Sequence, residues 1–393
     1  MTPDLRIMLV AGEASGDAHG AKLAAAIRSA ADGRNVECFG AVSHAMRAAG
    51  VEEVVDADNM AIVGLPEIAR AVPMFLRALR TLVRAAEERR PDAVVLIDFP
   101  DFNLKLAKAL KKRGFTVIYY ISPQLWAWRQ YRIRSVRKHV DLLITILPFE
   151  KQWFAERGVT NVEYVGSPLA REVHAQSSKD VFCEKHGFDP SRPIVALLPG
   201  SRHKEISRIL PVMLEAAALM LERDHSVQFA VALARQRQVS EVEEAFAAAG
   251  SKAVNLRQTL KVISGETYDL LNAADAAAVT SGTATLETGL IGTPMAIVYK
   301  ASWLNYKLLR PLIDVEHFGL INLIAGKRIV REMIQDDLTA EQLASELQAL
   351  LDPERNAQVR RELNEAAEKL GHGGASARAA DLIIDLIRRK AQR

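Results

Sequence analysis

The feature that most constrains this chain is a repeat of short, near-continuous apolar runs, each followed by a longer amphipathic stretch. In the first half the runs are RIMLVAG at 6–12, VECFGA, AVVLIDF at 93–99, FTVIYYIS at 115–122, LLITILPF at 142–149 and VEYVGSP at 162–168. Between them, residues 15–28, LKLAKALKKRG and KQWFAERGV space their apolar residues by three and four, as a helix with one buried stripe does. Strands that are apolar along their whole length must be covered on both faces, which requires a parallel sheet between two helical layers. Right-handed crossovers then make it a doubly wound α/β domain.

The pattern breaks at residues 170–193, which are polar and irregular and read as a linker plus the entry to a second domain. It restarts with PIVALLP, ILPVMLEAAALMLERD, VQFAVALA and VSEVEEAFAAAG, and AVNLR, DAAAVTSG, TATLETGLIG and PMAIVYK supply further strand and helix pieces. We therefore expect two Rossmann-like domains, 1–170 and 190–350, facing across a cleft, with ligands at the C-terminal ends of the strands. A length of 393 residues suits two such cores. Cys38 and Cys183 lie far apart, match no metal spacing and fit a reducing compartment. The net charge of +3 gives no reason to expect nucleic acid as a partner. No apolar run approaches the roughly 20 residues of a spanning helix, and the N-terminus does not read as a signal peptide. A peripheral contact with a membrane stays open.

Candidate chemistry gathers where strands hand over to helices. In LLPGSRHKE, Gly200 permits a tight turn, the amides around Ser201 lead into a helix, and Arg202 adds a planar fork suited to phosphate oxygens. A plain strand-to-helix turn is the alternative. VTSGTATLETG repeats the arrangement: Ser281, Gly282 and Thr283 open a helix, and Glu287 follows one turn later, placed to accept hydrogen bonds from a ribose. Together they suggest a nucleoside diphosphate. Neither GxxxxGK[ST] nor GxGxxG occurs, which argues against ATP hydrolysis and nicotinamide chemistry.

The first domain offers GEASGDAHG, where Glu13, Ser15 and Asp17 flank two glycines, a loop better suited to sugar hydroxyls than to phosphate. A helix-capping role for Ser15 or Asp17 is the alternative. IDFPDFN holds the best candidate base, Asp98, which closes a strand and needs partial burial to raise its pKa. SPQLWAWRQYRIR interleaves Trp126 and Trp128 with Arg129, Arg132 and Arg134, a composition suited to a phosphorylated acceptor or bilayer headgroups. Trp126 can equally be a core residue. From Met60, a stretch rich in Ala, Leu and Val carries Arg70, Arg77, Arg80 and Arg84; it is either a buried helix pair or a wall for acyl chains or membrane. No metal motif such as HExxH is present, nor GxSxG in the setting of a hydrolase.

GEASGD, IDFPDFN, SPQLWAWRQ, LPGSR and SGTATLE, in this order, resemble the lipid-A-disaccharide synthases, glycosyltransferases of the GT-B class. The resemblance implies an inverting transfer of 2,3-diacylglucosamine from UDP-2,3-diacylglucosamine to 2,3-diacylglucosamine 1-phosphate, without cofactor or metal. It implies Asp98 as the base and Gly200, Ser201, Arg202, Ser281, Gly282, Thr283, Glu287 and Asn322 on the donor side. Glu13, Ser15, Asp17, Trp128 and Arg129 fall on the acceptor side. It also implies peripheral attachment to anionic phospholipids at the cytoplasmic face of the inner membrane. The C-terminal helices, 351–393, are expected to return to the first domain or to a partner subunit, which leaves a homodimer open. Relatives often read SLPNLIAG where this chain has FGLINLIAG, so the loop before Asn322 departs from the family pattern. Another UDP-sugar transferase or epimerase of the same architecture, or a non-catalytic anionic-lipid-binding protein, would share parts of this pattern.

Overall fold

The computed structural model describes residues 4–58, 65–233, 239–301, 316–371 and 373–392, without the side chains of 65–71 and 251–252. The chain divides into two compact units, Met1–Pro168 with His372–Arg393, and Leu169–Gly371.

The first unit is built on seven parallel strands: β1 (Leu5–Val10), β2 (Val36–Val42), β3 (Glu52–Asp56), β4 (Ala93–Ile97), β5 (Val117–Tyr120), β6 (Leu142–Thr145) and β7 (Val162–Tyr164). Their order is β3-β2-β1-β4-β5-β6-β7. The reversal of direction between β1 and β4 opens a switch point at their C-terminal ends, where such sheets bind ligands. The helices are α1 (Ala14–Ala30), α2 (His44–Ala48), α3 (Leu65–Arg89), α4 (Pro100–Lys111), α5 (Ile133–His139) and α6 (Glu150–Glu156). One face of the sheet packs Val94, Leu96, Val117 and Tyr119 against Leu82, Leu106, Leu110 and Val136 of α3, α4 and α5. The other packs Ile7, Leu9, Val95 and Ile97 against Leu23 and Ile27 of α1. The continuous apolar runs thus reflect burial on both sides. Strand β3, EEVVD, escapes the sequence pattern because it is a half-exposed edge strand with two leading acids.

The second unit repeats the plan with β8 (Ile194–Leu198), β9 (Gln228–Leu233), β10 (Lys261–Ser264), β11 (Ala276–Thr280), β12 (Met295–Tyr299) and β13 (Glu332–Ile334). The order is β10-β9-β8-β11-β12-β13, again with every pairing parallel. Its helices are α7 (Leu169–Glu172), α8 (Lys179–His186), α9 (His203–Arg223), α10 (Val239–Ala249), α11 (Thr267–Ala273), α12 (Thr283–Ile291), α13 (Leu320–Ala325), α14 (Ala340–Leu350) and α15 (Pro353–Glu368). Two expectations fail here. The supposed linker contains α8, whose N-cap Ser178 accepts from the Val181 amide and which buries Phe182 and Cys183. AVNLR forms no regular strand or α-helix; short 3-10 turns occupy it, and the edge strand β10 follows at KVIS.

The C-terminal helices also part company. α15 belongs to the second unit: Arg360 donates to the carbonyls of Gly292 (2.9 Å) and Ala274 (3.2 Å), and Asn356 donates to that of Asp275 (2.7 Å). Only the last helix, α16 (Ala375–Ala391), lies on the first unit, so the return begins after 371 rather than at 351. It buries Ala379, Ala380, Ile383 and Ile384 in the same core as Leu23 and Ile27. Arg378 Nε donates to the Val165 carbonyl at 2.8 Å, and Lys390 pairs with Asp141 at 2.7 Å.

Candidate active site

Asp98 directly follows β4 at the switch point of the first unit, and its backbone is unusual. Asp98 has φ +46° and Phe99 φ +50°, two successive non-glycine residues in the left-handed region before Pro100 opens α4. Such a turn is costly and persists only when its surroundings hold it. Here the Asp98 carbonyl accepts from the Tyr119 hydroxyl at 2.6 Å and from Asn103 Nδ2 at 2.8 Å, and Asn103 also donates to the Ile97 carbonyl at 3.2 Å. Phe99 tilts against Phe75 and Phe102 with ring centroids near 6 Å. Its ring lies so close to Gly12 that a β-carbon there would overlap it. The first glycine of GEASGD is therefore needed for the aromatic residue of IDFPDFN.

Burial pushes the Asp98 carboxyl up to about 6, with the Glu13 carboxylate adding to the rise and the Phe99 amide opposing it. Such a carboxylate is still ionised at neutral pH, yet its proton affinity is that of a useful base. Glu13 sits as the N-cap of α1 without a capping bond, and Glu13 and Ser15 are exposed. Asp17 is different, and the structure corrects its expected role. Its carboxylate is 3% exposed and accepts from the amides of Ser43 (2.8 Å) and Ala45 (2.7 Å), so it ties α1 to the start of α2 rather than meeting a sugar.

The loop after β5 divides its two tryptophans. Trp126 is buried, edge-on to Phe149 at 5.1 Å, and donates to Glu150. Trp128 is 38% exposed and carries the Arg129 guanidinium 4.0 Å above its ring. Arg129 (3.0 Å) and Arg132 both pair with the Asp101 carboxylate, one turn into α4 from Asp98. A cationic, aromatic rim is thus held to the first turn of α4, three residues on from the candidate base.

In the second unit, Gly200 has φ +106°, and a β-carbon there would lie 2.6 Å from Glu205 Oε2. The amides of Ser201 and Arg202 are not the outward donors expected: both donate to Glu205 Oε2 at 3.3 Å, and Arg202 Nη1 pairs with Oε1 at 2.9 Å. Glu205, the third residue of α9, thus reaches back to the amide of the N-cap residue Arg202, which is one half of a capping box; the arginine side chain, having donors only, adds an ion pair instead of the other half. The seat is shaped for an anion, and a carboxylate of the chain occupies it. The Arg202 side chain is otherwise open, at 76% exposure.

At the other turn, the Ser281 amide donates to the Val298 carbonyl at 2.8 Å and belongs to the sheet, while its hydroxyl donates to the Phe318 carbonyl at 3.0 Å. Of the three residues expected there, Gly282 and Thr283 are exposed at the start of α12. Glu287 is half-buried one turn on, and burial raises its carboxyl. Asn322 requires a second correction. It is fully buried: Nδ2 donates to the Val330 carbonyl and to Glu332, both at 2.9 Å, and Oδ1 accepts from Ile329 (3.0 Å) and Val330 (3.1 Å). It staples α13 to β13 and has no valence left for a ligand. The departure at FGLIN has a local reason, because the Gly319 amide donates to Glu332 at 2.9 Å and a β-carbon at Gly319 would overlap Ile297. Glu150 and Glu205 carry no signal in the sequence, because polarity in a helical stretch gives no sign of what a side chain holds.

A family model described as lipid-A-disaccharide synthetase matches residues 7–384. A lipid-A-disaccharide synthase of Syntrophus aciditrophicus (strain SB) is 43% identical over 384 residues, 98% of each chain. One from Geobacter metallireducens is 42% identical over 390 residues, 99% of each. Among solved structures, a putative UDP-N-acetylglucosamine 2-epimerase from Listeria monocytogenes has TM-score 0.64 at 14% identity, covering 98% of this chain and 97% of that one. That likeness carries the fold, two α/β units of GT-B type.

The fit of Phe99 against Gly12 can be tested by Gly12→Ala. The added methyl must displace the ring and with it the left-handed turn at Asp98, so turnover is expected to fall about tenfold or more, of the size a small misplacement of a catalytic group costs. Far-ultraviolet circular dichroism should stay unchanged. Full activity in G12A would show that the contact does not position Asp98.

Proposed function

The chain belongs to the lipid-A-disaccharide synthetase family, and from that premise we propose that Asp98 is its general base and Arg202 its diphosphate ligand. The reaction is a glycosyl transfer of lipid A biosynthesis. The donor is UDP-2,3-diacylglucosamine and the acceptor 2,3-diacylglucosamine 1-phosphate. The acceptor's 6-hydroxyl oxygen forms a bond to the donor's anomeric carbon from the face opposite UDP. The bond from that carbon to the diphosphate oxygen breaks, and its electron pair leaves with UDP. The hydroxyl proton passes to Asp98 and then to solvent. One displacement inverts the anomeric configuration, so a single base is enough.

The observation that carries this reading is the carboxylate of Asp98, held at a sheet's ligand-binding edge with its proton affinity raised by burial. The leaving diphosphate gains negative charge, and the amides of Ser201 and Arg202, the Arg202 guanidinium and the α9 dipole favour an anion at that point. A phosphate seated there takes the place of the Glu205 carboxylate. Gly200 allows the close backbone approach, Gly282, Thr283 and the Ser281 hydroxyl lie at the second helix start, and Glu287 serves the ribose. Trp128 and Arg129 meet the acceptor, with Glu13 and Ser15 on its other side. Among the described residues no three His, Cys, Asp or Glu side chains gather as a metal site, and this reading gives charge compensation to the protein. The enzyme sits peripherally at the cytoplasmic face of the inner membrane. The exposed Val72 and Leu76 of α3, flanked by exposed Arg77 and Arg80, support contact with anionic phospholipid. No helix among the described residues is long and apolar enough to cross a membrane.

Two outcomes follow for kinetics and stability. Asp98 must be ionised to act, so kcat/KM for the donor, measured at saturating acceptor, should fall tenfold per pH unit below about 6 and level off above it. The linkage has the opposite sign for stability. A carboxyl raised from 3.8 to about 6 on folding contributes stability below pH 3.8 that is lost as pH rises through 6. Asp98→Asn should therefore cut turnover at pH 8 by about 10²–10⁴-fold while raising the unfolding temperature, since it removes a burial cost of up to about 3 kcal/mol. Near-native turnover in D98N would contradict the assignment. Arg202→Ala should raise the KM for donor about ten- to a hundredfold, as loss of a charged hydrogen bond does, and leave the KM for acceptor unchanged. Unaltered donor kinetics in R202A would remove the diphosphate seat from this position.

A further inference from the structure

Glu150 is 1% exposed, yet its carboxylate plays no part in the chemistry above. It opens α6 and turns back beneath the C-terminal edge of the sheet, where it accepts four hydrogen bonds from two different loops. Oε1 takes the Ser122 hydroxyl at 2.8 Å and the Trp126 indole N–H at 3.0 Å, both from the loop after β5. Oε2 takes the amides of Leu147 at 3.1 Å and Ile146 at 3.3 Å, from the loop after β6. Burial pushes the carboxyl up to about 7 despite these four donors. An apolar residue would fill the same space without that cost, so simple packing is a poor account of a carboxylate here.

What the carboxylate holds is more informative. Trp126 is the buried foot of the segment that continues to Trp128 and Arg129, and Arg129 and Arg132 in turn grip Asp101 at the start of α4. Ile121 and Arg129, near the two ends of this segment, have φ +62° and φ +53°, so its course is set by anchors rather than by regular hydrogen bonding. Of these anchors, Glu150 ties the segment to the neighbouring loop by hydrogen bonds, beside the packing of Trp126 on Phe149.

Resting on the assignment of Trp128 and Arg129 to the acceptor, we propose that Glu150 is a positioning residue for acceptor capture, clasping the loop after β5 to the loop after β6 so that the tryptophan–arginine rim stands beside Asp98. The clasp needs an acceptor at both oxygens. Glutamine presents one oxygen and one NH2 group, so at least one pair of donors then faces a donor. Ser122 can turn its hydroxyl and accept, but the Trp126 N–H and the two amides can only donate.

The test is steady-state kinetics of Glu150→Gln, Trp126→Phe and the double variant, with donor and acceptor varied separately well below the unfolding temperature. E150Q should raise the KM for 2,3-diacylglucosamine 1-phosphate about tenfold or more, the scale of a lost charged hydrogen bond, and leave the KM for donor within about twofold. W126F should shift acceptor KM in the same direction, and the double variant should match E150Q rather than the product of the two effects, because both changes break one bond. Wild-type acceptor KM in E150Q, a uniform fall of all parameters, or multiplicative effects in the double variant would each overturn the clasp. Should E150Q not fold, W126F and Ser122→Ala carry the test: a raised acceptor KM in either supports it, and an unchanged one in both overturns it. An active D98N beside an acceptor-defective E150Q would fault the base and leave the clasp standing. The reverse pair of results would fault the clasp alone.

Discussion

One constraint underlies the site: a carboxylate is held partly out of water by a backbone that does not favour its own conformation. The left-handed turn at Asp98 and Phe99 places the side chain at the sheet's edge, and Tyr119 and Asn103 grip the carbonyl of Asp98 and leave its carboxylate to solvent and substrate. This division matters. Were those donors spent on the carboxylate, they would stabilise its charge and lower its pKa. Because they bind the peptide instead, desolvation dominates and the group is tuned towards neutrality.

Elsewhere internal carboxylates organise cations and amides. Glu205 lies on Arg202 and two amides, Asp101 on Arg129 and Arg132, and Glu332 on Asn322 and the amides of Phe318 and Gly319. The first two pairs are accessible; Arg202 and Asp101 are largely exposed, so these contacts are weak in water and open to exchange with a ligand. The third is buried at Asn322 and structural. Polarity and position in a motif therefore do not distinguish a ligand-binding group from a staple; the partners of each atom do.

That distinction marks how far the sequence could be read. The two parallel sheets were legible because strands buried on both faces leave an unbroken apolar trace, while the edge strands β3 and β10, half exposed, left none. Asp98 was legible as a carboxylate closing an apolar run before a proline. Asp17 and Asn322 occur in equally suggestive stretches, yet their atoms are consumed by amides 26 residues away and by β13 and the loop before it, and such tertiary partners have no local signature. Glu150 was invisible for the same reason, since a lone glutamate opening a helix ordinarily faces water. The return of α16 was expected, but the place where it begins depends on Arg360 and Asn356 anchoring α15 to the second unit, which periodicity does not encode.

Tuning of Asp98 by burial at the strand end can be read by titrating its carboxyl carbon. Protein labelled with 13C at aspartate carboxyls, with D98N to assign the signal, would be followed by nuclear magnetic resonance from about pH 3 to about pH 9, roughly three units either side of the expected midpoint. The Asp98 resonance is expected to titrate near 6. A midpoint at the ordinary value for aspartate, about 3.9, would mean that the carboxylate is fully solvated, and the base would have to be sought elsewhere.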